Sequence, residues 1–514
     1  GSDQQPEGAA AGAVVAQLLT DLAGVPVPVV AEDTGEPGTV ILRVTQDRSL
    51  LGLGPDDDEA RSLAAYRLEV DARTIVLTAL GAPGLLHAVA TLEQIGESTV
   101  GGSLAFPALL VQDAPRFGWR GLSLDVARHF FDVAAIKTVI DVMASLKLNM
   151  LHLHLTDDQG WRVQMPSRPD LTERSGCTAV GGQPGGYYTV GDLAEITAYA
   201  QNHCITVVPE IDIPGHVNAA LHAYGELTPS GEPTPEYTGI EVGFSRLHAD
   251  VATTEAFLRD VMSDIAVMTP GPYVHIGGDE VLTMDAPEYS RLVEMAAGDV
   301  RAAGKMVVGW QEVAKANVGP DTVIQFWREP DDTKHLITAV QAGAKLLLSP
   351  GSKAYLDMKY DSDTPLGLEW AGHIELQDAY DWEPLTVIPE VPAEAIIGIE
   401  AAMWSETICT VDDLFLLLLP RLAAIAEVAW SQSERRSWDS FVARVRVVAP
   451  RWSQSGLSWY RSPPVRVVSV ATPAHTSACP LGRHLSLAPE DCLPTDTKVA
   501  PRRAHYLPLG ARGL

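Results

Sequence analysis

The sequence predicts a (β/α)8 barrel preceded by a small α+β domain, and three observations carry that reading. From Gly121 onward, strand-like apolar runs alternate with helix-like segments, as in successive βα units. Several of those runs end in clusters of Asp, Glu, His and Trp, at the strand end where barrel enzymes hold their chemistry. Before Gly121 the order is a helix, three strand-like runs and a second helix, without that regular alternation.

Residues 13–24 (AVVAQLLTDLAG) read as a short amphipathic helix. TVILRV (39–44), YRLEV (66–70) and TIVLTAL (74–80) read as strands, with a hairpin at Asp71-Ala72-Arg73, and GLLHAVATLEQIGE (84–97) as a helix. Residues 1–110 therefore form the expected N-terminal domain, and Pro107 to Pro115 the expected linker. The barrel, 116–466, takes eight strands: GLSLDVA (121–127), LNMLHLHL (148–155), ITVVPEIDI (205–213), YVHIGGDE (273–280), KMVVGWQE (305–312), TVIQFW (322–327), KLLLSP (345–350) and AIIGIEAAMW (395–404). Residues 467–514 are rich in proline, keep no period and are expected to be a poorly ordered tail.

The chain has 514 residues, 46% of them hydrophobic, enough to bury a sizeable core. A formal net charge of −29 argues against nucleic acid or an anionic membrane as partner, because phosphates repel an acidic surface. A neutral ligand fits better. No apolar run reaches the roughly 18 residues needed to cross a bilayer. Gly1-Ser2 reads as a cloning remnant, so any signal peptide is expected to have been removed. The five cysteines, Cys177, Cys204, Cys409, Cys479 and Cys492, have no C-x-x-C spacing, which leaves no zinc knuckle and at most two bridges.

The stretch YVHIGGDE carries the most chemistry. Two glycines after a β-branched run leave room for a ligand, and Asp279 and Glu280 follow at once. An acidic pair alone is weak, since Asp58-Glu59 is another and reads as solvated. The weight comes from the other runs that end alike: LSLDVARH (122–129), NMLHLHLTDDQGWR (149–162) and ITVVPEIDIPGH (205–216). Trp310, Trp327, Trp370 and Trp404 also sit near strand ends. Any one could fill core, but four at one end suit a sugar or acyl group, whose C–H face packs on aromatics while its hydroxyls need directed partners. Arg128, Asp357 and Glu406 are candidates for those partners. A rival reading makes His152, His154, Asp157, Asp158 and His216 a divalent-metal site. Against it, strand alternation puts His152 and His154 on one face, which ordinary hydrogen-bonded packing explains equally well.

The motifs GLSLDVARH (121–129), LHLHLTDDQGWR (151–162), PEIDIPGH (209–216), HIGGDE (275–280), GW (309–310), FW (326–327) and MWSE (403–406) together resemble family 20 of the glycoside hydrolases, the β-N-acetylhexosaminidases, in particular the secreted bacterial ones. The resemblance covers about 110–466, with 1–110 similar to the domain that precedes the barrel in that family. It implies an exo-acting, retaining enzyme that removes terminal β-GlcNAc or β-GalNAc, the substrate's own acetamido oxygen acting as nucleophile. Glu280 would be the general acid/base. Asp279 would hold the acetamido N–H and Tyr355 its oxygen. Trp310, Trp327 and Trp404 would wall the acetamido pocket, with Trp370 near the aglycone. Arg128 would bind the 3- and 4-hydroxyls, Glu406 the 4- and 6-hydroxyls, and Asp357 the 6-hydroxyl. Asp157 and His216 would border the substrate and tune Glu280, while Asp212 and His275 would support the floor. The resemblance implies no cofactor and no metal, an oligosaccharide substrate and an extracellular location. The remaining alternatives are a metal-dependent barrel hydrolase and a carbohydrate-binding barrel without turnover.

Overall fold

The computed structural model describes residues 12–17, 19–20, 24, 26–30, 37–98, 104–328 and 333–466. The tail at 467–514, with Cys479 and Cys492, lies outside the described residues. Of the other cysteines, Cys177 and Cys409 are disulfide-bonded and Cys204 is free. No described helix is long and apolar enough to cross a membrane.

A four-stranded sheet comes first, in the order Thr39–Val44, Thr74–Ala79, Tyr66–Val70, Leu109–Asp113. The first pair is parallel and the other two antiparallel. The expected hairpin at 71–73 is present: Asp71 Oδ1 accepts the N–H groups of Arg73 and Thr74, each at 2.7 Å, and closes the turn from within. The helix Ala82–Ile95 lays Leu85, Val89 and Leu92 on Tyr66, Leu68 and Leu77. Leu109–Asp113 corrects the reading of 107–115 as linker, because these residues pair along the whole of Tyr66–Val70. Only alternate residues of LLVQD turn inward, and flanking prolines make a half-buried edge strand look like a connection.

The barrel closes through eight parallel strands. In chain order they are Trp119–Asp125, Met150–His154, Thr206–Glu210, Tyr273–His275, Met306–Trp310, Val323–Phe326, Lys345–Leu348 and Ile396–Met403. Each falls on a predicted run. Trp119, Val208, Val308, Val323 and Leu347 form an apolar plug inside, and His152, Glu210, His275, Gln325 and Glu400 form a second, buried polar set.

The fourth strand is shorter than the predicted 273–280. It ends at His275, after which Gly277 (φ 67°), Gly278 (φ 108°) and Glu280 (φ 52°) take left-handed backbone conformations. Gly277 admits no side chain, since a Cβ there would lie 1.7 Å from Asp212 Oδ1. The chain stays joined to the barrel through Ile276 N–H to Val308 O and Trp310 N–H to Gly277 O, both 2.9 Å. The turn delivers Asp279 and Glu280 into one space, which a continued strand would not, because adjacent strand residues face opposite ways.

Candidate active site

Asp279 and Glu280 converge on one imidazole. His216 Nε2 lies 3.9 Å from Asp279 Oδ2 and 3.6 Å from Glu280 Oε2. His216 (φ 53°) and Glu280 are two of five non-glycine residues with positive φ among those described. Such conformations cost about 1–3 kcal/mol and persist where the surroundings impose them, as at reaction sites. Burial pushes the Asp279 carboxyl up to about 6, against the pull of the His216 charge. Its Oδ1 is buried without a hydrogen-bond partner among the described residues. Asp212, whose Oδ1 accepts Gly278 N–H at 3.0 Å, is raised well above the carboxylate range by burial and then by Asp279.

Behind His216 runs an alternating ladder of acids and bases. His216 Nδ1 meets Asp157 Oδ1 at 3.2 Å, Asp157 Oδ2 meets His154 Nε2 at 2.9 Å, and His154 Nδ1 meets Glu210 Oε2 at 2.5 Å. Glu210 continues to His152 at 3.0 Å, and His152 to Glu400 at 2.9 Å. Burial alone would neutralise each member, yet His216 and His154 are held well above the usual imidazole range by Asp157 and Glu210 respectively. Glu210 is held well below the carboxylate range by the imidazoles around it. An imidazolium that donates at both nitrogens has no lone pair for a metal, so hydrogen bonding accounts for His152 and His154. Groups within ligand distance of one another do occur, Asp212 with His216 and Asp279 among them. His275 lies 3.1 Å from Glu210 Oε1 and stacks on His152, on the floor of the same space.

The aromatic residues form one connected wall around Tyr355. Its ring lies 6.2 Å from Trp327, 5.4 Å from Trp370 and 6.3 Å from Trp404, and Trp404 lies 5.7 Å from Trp310. Trp310 is fully buried and donates Nε1–H to Glu210 at 2.8 Å, whereas Trp370 is 53% exposed and stands at the rim. Arg128 packs over Trp404 and pairs with Asp157 at 2.8 Å and Asp125 at 3.3 Å. Several buried polar atoms on this side have no partner among the described residues: Arg128 Nε, Glu406 Oε2 and both carboxyl oxygens of Asp357. Burying such groups unsatisfied costs about 1–3 kcal/mol each, so their retention points to a polar ligand that completes them.

All the predicted site residues thus come together, and four further groups belong with them. Glu210 and Glu400 anchor the ladder; both lie inside runs read as strand, where a lone Glu in an apolar stretch was the available signal. Asp125 accepts the N–H groups of Ala127 and Arg128 and so shapes the Arg128 turn. Glu312 accepts Trp327 Nε1–H at 3.2 Å and is pushed up to about 7 by burial and then by Asp279. It follows GW in the sequence, with nothing to mark it.

Comparison with known proteins agrees with this geometry. The family model described as glycosyl hydrolase family 20, catalytic domain, matches residues 117–297 and 286–433, and the model described as domain 2 of that family matches 3–114. A β-N-acetylhexosaminidase from Cellulomonas fimi is 57% identical over 463 residues, covering 90% of this chain and 91% of that protein. The structure of a β-N-acetylhexosaminidase from Streptomyces coelicolor A3(2) superposes with a TM-score of 0.83 at 40% identity, covering 90% of this chain and 92% of the other. A mutant Streptomyces plicatus β-hexosaminidase, solved in complex with the product GlcNAc, matches with the same score, identity and coverage.

Proposed function

The chain belongs to glycosyl hydrolase family 20, and we propose that it is an exo-acting, retaining β-N-acetylhexosaminidase that removes terminal β-GlcNAc, and β-GalNAc, from oligosaccharides. The observation that carries the mechanism is the convergence of Asp279 and Glu280 on His216 Nε2. Both carboxyls thus face one point, at 3.9 and 3.6 Å from it. Ordinary retaining glycosidases instead set a nucleophile about 5 Å from the acid, across the scissile bond, and substrate-assisted family 20 enzymes are a known exception to that rule.

In the first step the acetamido carbonyl oxygen bonds to C1 while the C1–O bond to the leaving group breaks. Glu280 gives its proton to the departing oxygen. Asp279 accepts the amide N–H through the carboxyl that has a free oxygen, which turns the amide oxygen toward C1 and offsets the positive charge of the oxazolinium ring. Tyr355 and the tryptophan wall confine the acetamido group to that pose, and a nucleophile already in place gains the proximity advantage of an intramolecular reaction. In the second step the Glu280 carboxylate takes a proton from water, the water oxygen bonds to C1, and the ring opens with the configuration retained. His216, held protonated by Asp157, faces the Glu280 carboxyl at 3.6 Å throughout.

Arg128, Asp357 and Glu406, with their unpartnered polar atoms, would bind the hydroxyls of the terminal sugar. The disulfide-bonded Cys177 and Cys409 support action in an oxidising, extracellular setting. The test is hydrolysis of paired aryl β-glycosides, GlcNAc against glucose, with and without a thiazoline mimic of the cyclised intermediate. Cleavage of the GlcNAc compound alone, blocked by the thiazoline, is expected. Equal cleavage of glucose, or cleavage of neither, would refute the reading.

A further inference from the structure

Arg421 is fully buried at the start of the helix Arg421–Trp430, and among the described residues no carboxylate lies within ion-pair distance of it. Its guanidinium donates to main-chain carbonyls: Nη2 to Leu356 O at 2.6 Å and Leu417 O at 3.0 Å, Nη1 to Met358 O and Ile374 O at 2.8 Å each. Tyr360 covers its face, 3.6 Å from the guanidinium carbon to the ring centre. A buried cation held by neutral carbonyls is costly to keep, and what it secures in return is the fixed position of the segments whose carbonyls it binds.

Two of these carbonyls, Leu356 O and Met358 O, belong to the residues on either side of Asp357. The same short segment is fixed from the barrel side, where Leu356 N–H donates to Ala402 O at 2.7 Å on the eighth strand. Leu356 and Met358 are buried in the core; the chain turns between Tyr355 and Met358, whose N–H donates to Tyr355 O at 3.3 Å, and Asp357 stands in that turn beside the Glu406 carboxyl. Both carboxyl oxygens of Asp357 are buried without a side-chain partner among the described residues; burial, and then the Glu406 carboxyl, hold the group well above the usual carboxylate range, and Arg421 is the nearby positive charge that opposes them.

We propose that Arg421 is a positioning residue for recognition of the sugar's 6-hydroxyl: by clamping Leu356 O and Met358 O it sets the Asp357 carboxyl at the place where that hydroxyl binds. The inference rests on the family 20 reading of the site and adds to it a residue that meets the substrate only through another. Without the clamp the segment loses its fixed position on one side, and Asp357 loses the positive charge that offsets its burial.

The experiment compares kcat/KM on an aryl β-GlcNAc glycoside and on its 6-deoxy analogue for the wild type, Arg421→Met and Arg421→Lys. The wild type is expected to lose about 10- to 100-fold on the 6-deoxy compound, the range for leaving a buried polar group without its partner. In Arg421→Met the loss should fall mainly on the 6-hydroxy substrate, narrowing the gap between the two compounds by about threefold or more, with the remainder carried by Glu406. Arg421→Lys, which keeps the charge but cannot span both carbonyls, should discriminate less than the wild type and more than the methionine variant. A purely structural role would slow both substrates equally, and retention of the full wild-type discrimination in either variant overturns the proposal. If Arg421→Met does not fold, Arg421→Lys decides alone by the same criterion. A wild type that cleaves the GlcNAc glycoside but ignores the 6-deoxy change overturns the Arg421 role and leaves the family reading standing, whereas a wild type inactive on the parent glycoside refutes the family reading instead.

Discussion

Glu280 and Asp279 are neighbours in sequence with different surroundings, and the difference assigns their work. Glu280 is partly exposed, at 25% of its side chain, and faces the imidazole of His216, so it can exchange protons with a leaving group and then with water. Asp279 is buried with an oxygen left free, suited to hold an amide rather than to shuttle protons. Glu280→Gln is therefore expected to lose about 10²–10⁴ in rate on substrates with poor leaving groups, the contribution of a general acid, and far less on activated aryl glycosides. Steady-state kinetics on a chitobiose-type substrate beside a dinitrophenyl glycoside checks this, and equal losses on both would remove Glu280 from the acid role.

The elements that matter most are the loops in which strands break. The turn after the fourth strand depends on Gly277, and the stretch after the fifth fixes Trp327 from two sides. Gln311 Oε1 accepts the main-chain N–H groups of Trp327 and Arg328 at 3.1 and 3.0 Å, and Glu312 takes the indole N–H. This segment has a consequence for stability. Burial and Asp279 raise the Glu312 pKa to about 7, above its unfolded value, so the folded protein holds that proton more tightly than the unfolded chain. The stability contributed is present below the unfolded pKa and is lost as pH rises toward about 7. Glu312→Gln keeps an acceptor for Trp327 but carries no charge to bury. Its melting temperature relative to the wild type should therefore increase between pH 5 and pH 8, as differential scanning calorimetry would show, and a pH-independent difference would contradict the assignment.

At the scale of the whole molecule, the barrel and its eight strands are legible in the sequence because each strand is a buried apolar run with a polar end. The strand Leu109–Asp113 is not, since its apolar residues alternate at a sheet edge between prolines. The fourth strand reads five residues too long because sequence shows that glycines permit a turn but not that Asp212 stands where a Cβ would go. Asp279, Glu280, Trp310, Trp327 and Trp404 are legible through the family's motifs, and Tyr355 and Trp370, which lie outside those motifs, only through the resemblance as a whole. Glu210, Glu312, Glu400 and Arg421 are not, because their roles come from partners outside their own runs, from 15 residues away for Glu312 with Trp327 to 281 for Glu400 with Trp119. The centre they support stands on one claim, that the substrate's amide oxygen is the nucleophile. The most direct test is kcat/KM across aryl β-glycosides bearing N-acetyl, N-fluoroacetyl, N-difluoroacetyl and N-trifluoroacetyl groups of nearly constant shape. A fall at each added fluorine, as the amide oxygen becomes less nucleophilic, is the predicted result, and a flat series would contradict the account.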